Sequence, residues 1–148
     1  MTRRLTAAAG VIVTAMASMS LAGAPQPVSV SASEKVVRQL YAAFNTHEAS
    51  ALVAHVSDDV RWMSVTGDVV VVETSGRDAL QASMSRYFRS LPTVRSHIAA
   101  LMPAGEFVTV HERVTWMQGP TEKRQSAVAV YRIRNARIVS VWYFGVMP

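Results

Sequence analysis

The sequence predicts an α+β domain with helices towards its N-terminal end and an antiparallel sheet towards its C-terminal end. Apolar residues recur at helical spacing three times before residue 92, and four runs of alternating pattern fill residues 94–146. Helices first and a meander last is the α+β order, not the strand–helix alternation of α/β proteins. Size agrees: 148 residues suit one core. The absence of cysteine rules out a disulfide framework and a thiolate zinc site.

Residues 1–24 read as a signal peptide. Arg3 and Arg4 form a positive start, residues 5–21 are rich in Ala, Val and Met, and Ala22, Gly23 and Ala24 supply small residues for cleavage. Cleavage after Ala22, Ala24 or Ala32 fits, and the export route stays open. Ala24 stands where a lipidated cysteine would be, which excludes that lipid anchor. The alternative is an uncleaved anchor, but Thr and Ser interrupt the stretch and make it a poor span. The expected product is secreted or periplasmic and has no stable membrane anchor. Residues 25–33 read as a linker and 34–148 as the domain.

The formal charge is +5, from 15 basic and 10 acidic residues. Outside the density at 132–137, the basic residues are scattered. They form no stripe with interleaved aromatics, so no nucleic-acid partner is expected.

Ser31-x-x-Glu34 is a capping-box pattern, and Val36, Val37, Leu40, Tyr41 and Phe44 follow on one face, giving a helix over 33–46. Leu52, Val53 and Val56 give a second helix over 48–57, which Asp58-Asp59 ends. Strands follow at 60–64 and 69–73, joined by Thr66-Gly67-Asp68. Ser75-Gly76-Arg77-Asp78 opens a third helix with Leu80, Met84, Tyr87, Phe88 and Leu91 on its apolar face, and Pro92 stops it. Strands at 94–102, 106–117, 124–134 and 137–146 are separated by Pro103-Ala104-Gly105, Gly119-Pro120 and Asn135-Ala136.

This order, with Tyr41-Ala42-Ala43-Phe44-Asn45, Asp58-Asp59-Val60-x-Trp62 and Gly76-Arg77-Asp78-Ala79-Leu80, resembles the SnoaL-like members of the nuclear-transport-factor-2-like superfamily over residues 34–146. The resemblance implies a cone-shaped fold, with three N-terminal helices packed in a curved antiparallel sheet around an apolar cavity. The segment Glu112-Arg113-Val114-Thr115 resembles the Glu-Arg-x-Asp motif of the limonene epoxide hydrolase branch. Carried over residue by residue, that branch's arginine is Arg113. Its two carboxylates fall on Thr115 and on Tyr143 or Trp142, and its water-holding Tyr and Asn fall on Trp62 and Ser64. Both acid–base carboxylates are lost, so that chemistry is not expected. The three functional positions of ketosteroid isomerase fall on Ser64, Leu40 and Ala129, so that mechanism is lost as well.

Strand 106–117 offers two readings. Alternation puts Val108, Val110, Glu112, Val114 and Trp116 on one face and Thr109, His111, Arg113 and Thr115 on the other. Read alone, the apolar row is core. The resemblance implies the reverse, with the polar row lining the cavity and Val110, Val114 and Trp116 covering a homodimer interface on the sheet face. The expected site follows the resemblance, with His111 and Arg113 as catalytic candidates and Trp62, Ser64, Thr109, Thr115 and Tyr143 lining the pocket. His111 could move protons near neutrality. A buried Arg113 would need Glu73, a neighbouring subunit's Glu112 or an anionic ligand as partner, unless it reaches a carbonyl or solvent at the rim.

Four dispersed histidines without ligand spacing imply no metal site. No phosphate loop, dinucleotide fingerprint or nucleophile elbow is present, so no cofactor is expected. Three functions remain open. The first is binding of a small hydrophobic molecule, acidic if Arg113 meets it. The second is a SnoaL-like cyclase, isomerase or hydrolase that works without the carboxylates of its relatives. The third is a dimeric interaction module.

Overall fold

The computed structural model describes residues 30–147, so the expected signal peptide and most of the expected linker lie outside the described residues. The elements are α1 (Ala32–Phe44), α2 (Ala49–Val53), β1 (Val56–Thr66), β2 (Val69–Ser75), α3 (Arg77–Ser90), β3 (Arg95–Ala104), β4 (Phe107–Gln118), β5 (Thr121–Arg134) and β6 (Arg137–Met147). Among the described residues, no helix is long and apolar enough to cross a membrane.

Helix α1 begins where its cap dictates. The Ser31 hydroxyl accepts the Glu34 backbone N–H at 3.1 Å, so the helix starts inside the expected linker. Its inward stripe is Val36, Val37, Leu40 and Tyr41. Helix α2 is a single turn, far shorter than expected. Val56, read as its last apolar position, belongs to β1 and pairs with Ile138, so Asp58 and Asp59 lie within the strand. Gly76 hands β2 over to α3 with φ +91°, a value that side-chain-bearing residues rarely adopt. Its N–H donates to Val60 O at 2.8 Å.

The six strands form one sheet in the order β2-β1-β6-β5-β4-β3. The expectation of a wholly antiparallel sheet is corrected at one seam, because β1 and β6 run parallel. The cause is the path of the chain. After β2 it crosses on α3 to the far edge, and the β3–β6 meander returns until its last strand closes beside β1.

The helices fill the concave side of the sheet. Val37, Leu52 and Leu80, one from each helix, are fully buried against Val60, Val94, Val110, Ile138 and Val141. This burial of apolar surface is the main stabilising contribution, at about 1.5–3 kcal/mol per large side chain. Asn45, at the end of α1, fixes the free edge. Its amide donates to Ser96 O at 2.8 Å, and its carbonyl accepts the Ser96 N–H at 2.9 Å. One side chain thereby satisfies both backbone polar groups of Ser96 on the edge strand and ties α1 to β3.

Candidate functional site

Alternation along β4 places the site, and it follows the plain reading of the strand. Val108, Val110, Glu112 and Val114 are buried and face the helices. His111 and Arg113 are exposed on the outer face of the sheet, together with half-buried Thr109 and Thr115. The expectation that these four residues line the cavity is therefore corrected. So is the dimer interface through Val110, Val114 and Trp116, because the first two are interior and Trp116 packs partly against the core. The physical reason is period two: matching the motif one residue out of register exchanges the faces of the whole strand.

The cavity holds about 250 Å³ between the helices and the sheet. Helix α1 supplies Leu40, Tyr41 and Phe44, and α3 supplies Met84 and Tyr87. The sheet supplies Trp62, Glu112, Val114, Tyr131 and Tyr143, among others. Trp62 and Tyr143, both expected at the pocket, are among the residues of its wall. Ser64 is absent from the lining, and its hydroxyl donates to Glu73 Oε1 at 2.6 Å. That bond occupies the carboxylate once considered for Arg113. The open register of the last strand resolves in favour of Tyr143, which pairs with Ser64 on β1 and Ala129 on β5. The small side chains of Ala127 and Ala129 pair with Glu112 and Val110 across the ladder and are buried.

The residue that sequence reasoning missed is Glu112. It is only 5 % exposed, yet it is an acid in the middle of an apolar row. Its Oε2 accepts the Tyr41 hydroxyl at 2.7 Å and the Ser96 hydroxyl at 3.0 Å, and its Oε1 accepts the Tyr143 hydroxyl. Tyr131 donates to the Tyr41 hydroxyl at 3.0 Å and extends the network by one link. Hydroxyls converging on both oxygens match the acceptor pattern of an ionised carboxylate. A carboxylate has about four acceptor positions, and the three hydroxyls take three of them. The signal available in the sequence was Glu112 itself, standing among Val108, Val110 and Val114. Tyr41 and Tyr131 carried no such signal, since a tyrosine in an apolar stripe reads as core.

The tyrosines are held protonated. Burial first, then repulsion from the charge that Tyr131 would carry on ionisation and from Glu112, keeps the Tyr41 hydroxyl far above its usual value of 10.0. Burial followed by Glu112 does the same for Tyr143 and Tyr131, and the same two causes raise Tyr87. The site therefore combines one carboxylate acceptor with neutral phenol donors in an apolar enclosure. Such a set can orient a polar group or exchange a proton with it.

The SnoaL-like domain profile matches residues 37–141. No curated protein matches the chain. Among solved structures, similarity extends to AclR, a putative hydroxylase from Streptomyces galilaeus, with TM-score 0.66 and 16 % identity over 80 % of this chain and 91 % of that one. A hypothetical protein of ketosteroid isomerase-like fold from Catenulispora acidiphila, in complex with trimethylamine, gives 0.64 and 18 % over 75 % and 85 %. A putative polyketide cyclase from Bacillus cereus gives 0.63 and 14 % over 76 % and 72 %. At these identities the likeness is one of fold.

All four tyrosines of the chain have raised values, so the fold loses stability as pH rises above 10, where unfolded tyrosines release their protons. Below that pH their contribution is fully present. Absorbance titration should show little tyrosinate while the fold persists, then a cooperative rise coincident with loss of the folded circular dichroism signal. Four independent ionisations near pH 10 in the folded protein would contradict the described network.

Proposed function

Because the chain belongs to the SnoaL-like domain family, we propose that its cavity binds one small, largely apolar molecule and turns a polar group of that molecule towards Glu112. The observation that carries this reading is a largely apolar cavity with one buried carboxylate, Glu112, in its wall among the described residues. At about 250 Å³ the cavity falls below the roughly 300–1,000 Å³ of sites for drug-sized ligands, which favours a small guest. The trimethylamine complex of the Catenulispora neighbour supports a small-molecule reading of this fold. An acidic guest loses its rationale, since Arg113 is on the outer face and Glu112 would repel a second carboxylate.

Catalysis is the second reading, favoured by the pairing of Glu112 with Tyr143. A carboxylate that can accept a proton and a neutral phenol that can donate a hydrogen bond meet at the same cavity wall. The hydroxylase and the polyketide cyclase among the neighbours are consistent with chemistry on this scaffold.

We also carry forward export and self-association as proposals. Export rests on the composition of residues 1–24. The sheet-face dimer moves to the outer face, where Val128 (36 % exposed) and Phe144 (39 % exposed) are cross-strand neighbours.

The binding reading is tested by following the Trp62 indole signal by NMR against a panel of small apolar molecules, each carrying one hydroxyl or one amino group. At least one should saturate the signal, and Met84→Trp, which fills the cavity, should abolish the response. A panel that leaves Trp62 unmoved would sink the proposal. Under the catalytic reading, Glu112→Gln keeps binding and removes turnover by two or more orders of magnitude, on the order of the usual worth of a general base. Turnover that survives Glu112→Gln rejects it. Native mass spectrometry of protein recovered from the producing cells' medium checks the last two proposals together. The expected mass is that of a dimer of chains shortened by about 22–32 residues, within the usual signal-peptide range. A full-length chain argues against cleavage, and a monomer against the sheet-face dimer.

A further inference from the structure

The charge of the cavity wall narrows the guest further. Glu112 contributes one negative charge, and among the described residues no Lys, Arg or His lines the cavity. This stands out in a chain with a formal net charge of +5. Hydroxyl dipoles from Tyr41, Ser96 and Tyr143 lower the cost of burying Glu112, but they carry no charge to balance it. A bound cation would supply that balance.

The rest of the wall favours one kind of cation. The rings of Tyr41, Phe44, Trp62, Tyr87, Tyr131 and Tyr143 line the same space as the carboxylate. Aromatic rings attract cations through their quadrupoles, and the attraction is strongest for desolvated, weakly hydrated ions. A primary ammonium group would need three hydrogen-bond acceptors to replace its water. Three hydroxyls already take most of the acceptor positions of Glu112, and apart from the Gln125 amide and the Ser and Tyr hydroxyls the described side chains of the wall offer no other oxygen. A tertiary or quaternary alkylammonium needs one acceptor or none, and its methyl groups suit the apolar enclosure.

From this combination we infer that the cavity selects a small alkylammonium cation, recognised by the Glu112 charge and the surrounding rings. This inference rests on the small-molecule reading of the same cavity. It adds the sign of the charge and the substitution of the nitrogen.

Choline and 3,3-dimethylbutan-1-ol test it, since they share a shape and differ in a nitrogen for a carbon. Binding of each to the purified protein is followed at the Trp62 signal and by calorimetry. Choline should bind tighter by on the order of tenfold or more, and Glu112→Gln should bring the two affinities together. Equal or tighter binding of the neutral alcohol overturns the cationic inference and leaves the small-molecule reading intact. Failure of choline to bind while neutral members of the wider panel do bind has the same meaning. If no molecule of either set binds, both readings fall. Should Glu112→Gln fail to fold, the ratio measured on the unaltered protein still decides.

Discussion

The constraint on which the site depends is the burial of one carboxylate. Withdrawing Glu112 from water carries a penalty of several kcal/mol unless its oxygens find partners. Those partners come from three different elements: Tyr41 on α1, Ser96 on β3 and Tyr143 on β6. Each must be in place for the others to be useful, so the network ties the first helix to both sides of the meander. Tyr131 on β5 supports Tyr41 from behind, with the two rings edge to face at 6.1 Å.

Much of the surrounding architecture reads as the means of meeting that demand. Asn45 clamps the edge at Ser96, so the Ser96 hydroxyl stays within reach of Glu112. On β5, between β4 and β6, Ala129 is the small residue paired with Tyr143, whose hydroxyl reaches across to Glu112. The parallel seam between β1 and β6 sets Ser64 beside Tyr143 and Trp62 beside Val141, which brings the indole into the same enclosure. Space, charge and aromatic wall thus arise from separate parts of the chain and meet only after the sheet has curved around the helices.

The fold was legible because its signals are local. Ser31 and Glu34 mark the start of α1, Gly76 marks the handover into α3, and glycine or Asn-Ala turns punctuate the meander. The errors came where a local signal met a tertiary one. Val56 fits a helical stripe, but the partner that decides its state is Ile138, far along the chain. The site was less legible. Matching Glu112-Arg113-Val114-Thr115 to a short motif selected the wrong face, and that choice moved His111, Arg113, Thr109 and Thr115 from solvent into the cavity. The strand's own alternation, with three valines beside Glu112, was the sounder guide because burial follows the apolar row.

By itself, the sequence determined the α+β order, the element types, the aromatic character of the interior and the family resemblance, since each depends on residues near one another or on composition. Only the tertiary structure decided the orientation of β4, the parallel pairing of β1 with β6, and the meeting of Tyr41, Ser96 and Tyr143 on Glu112. Each of the three lies 16 to 71 positions from Glu112 along the chain. Nothing in local spacing can bring them together; the closure of the sheet over the helices does, and the buried charge makes the arrangement specific.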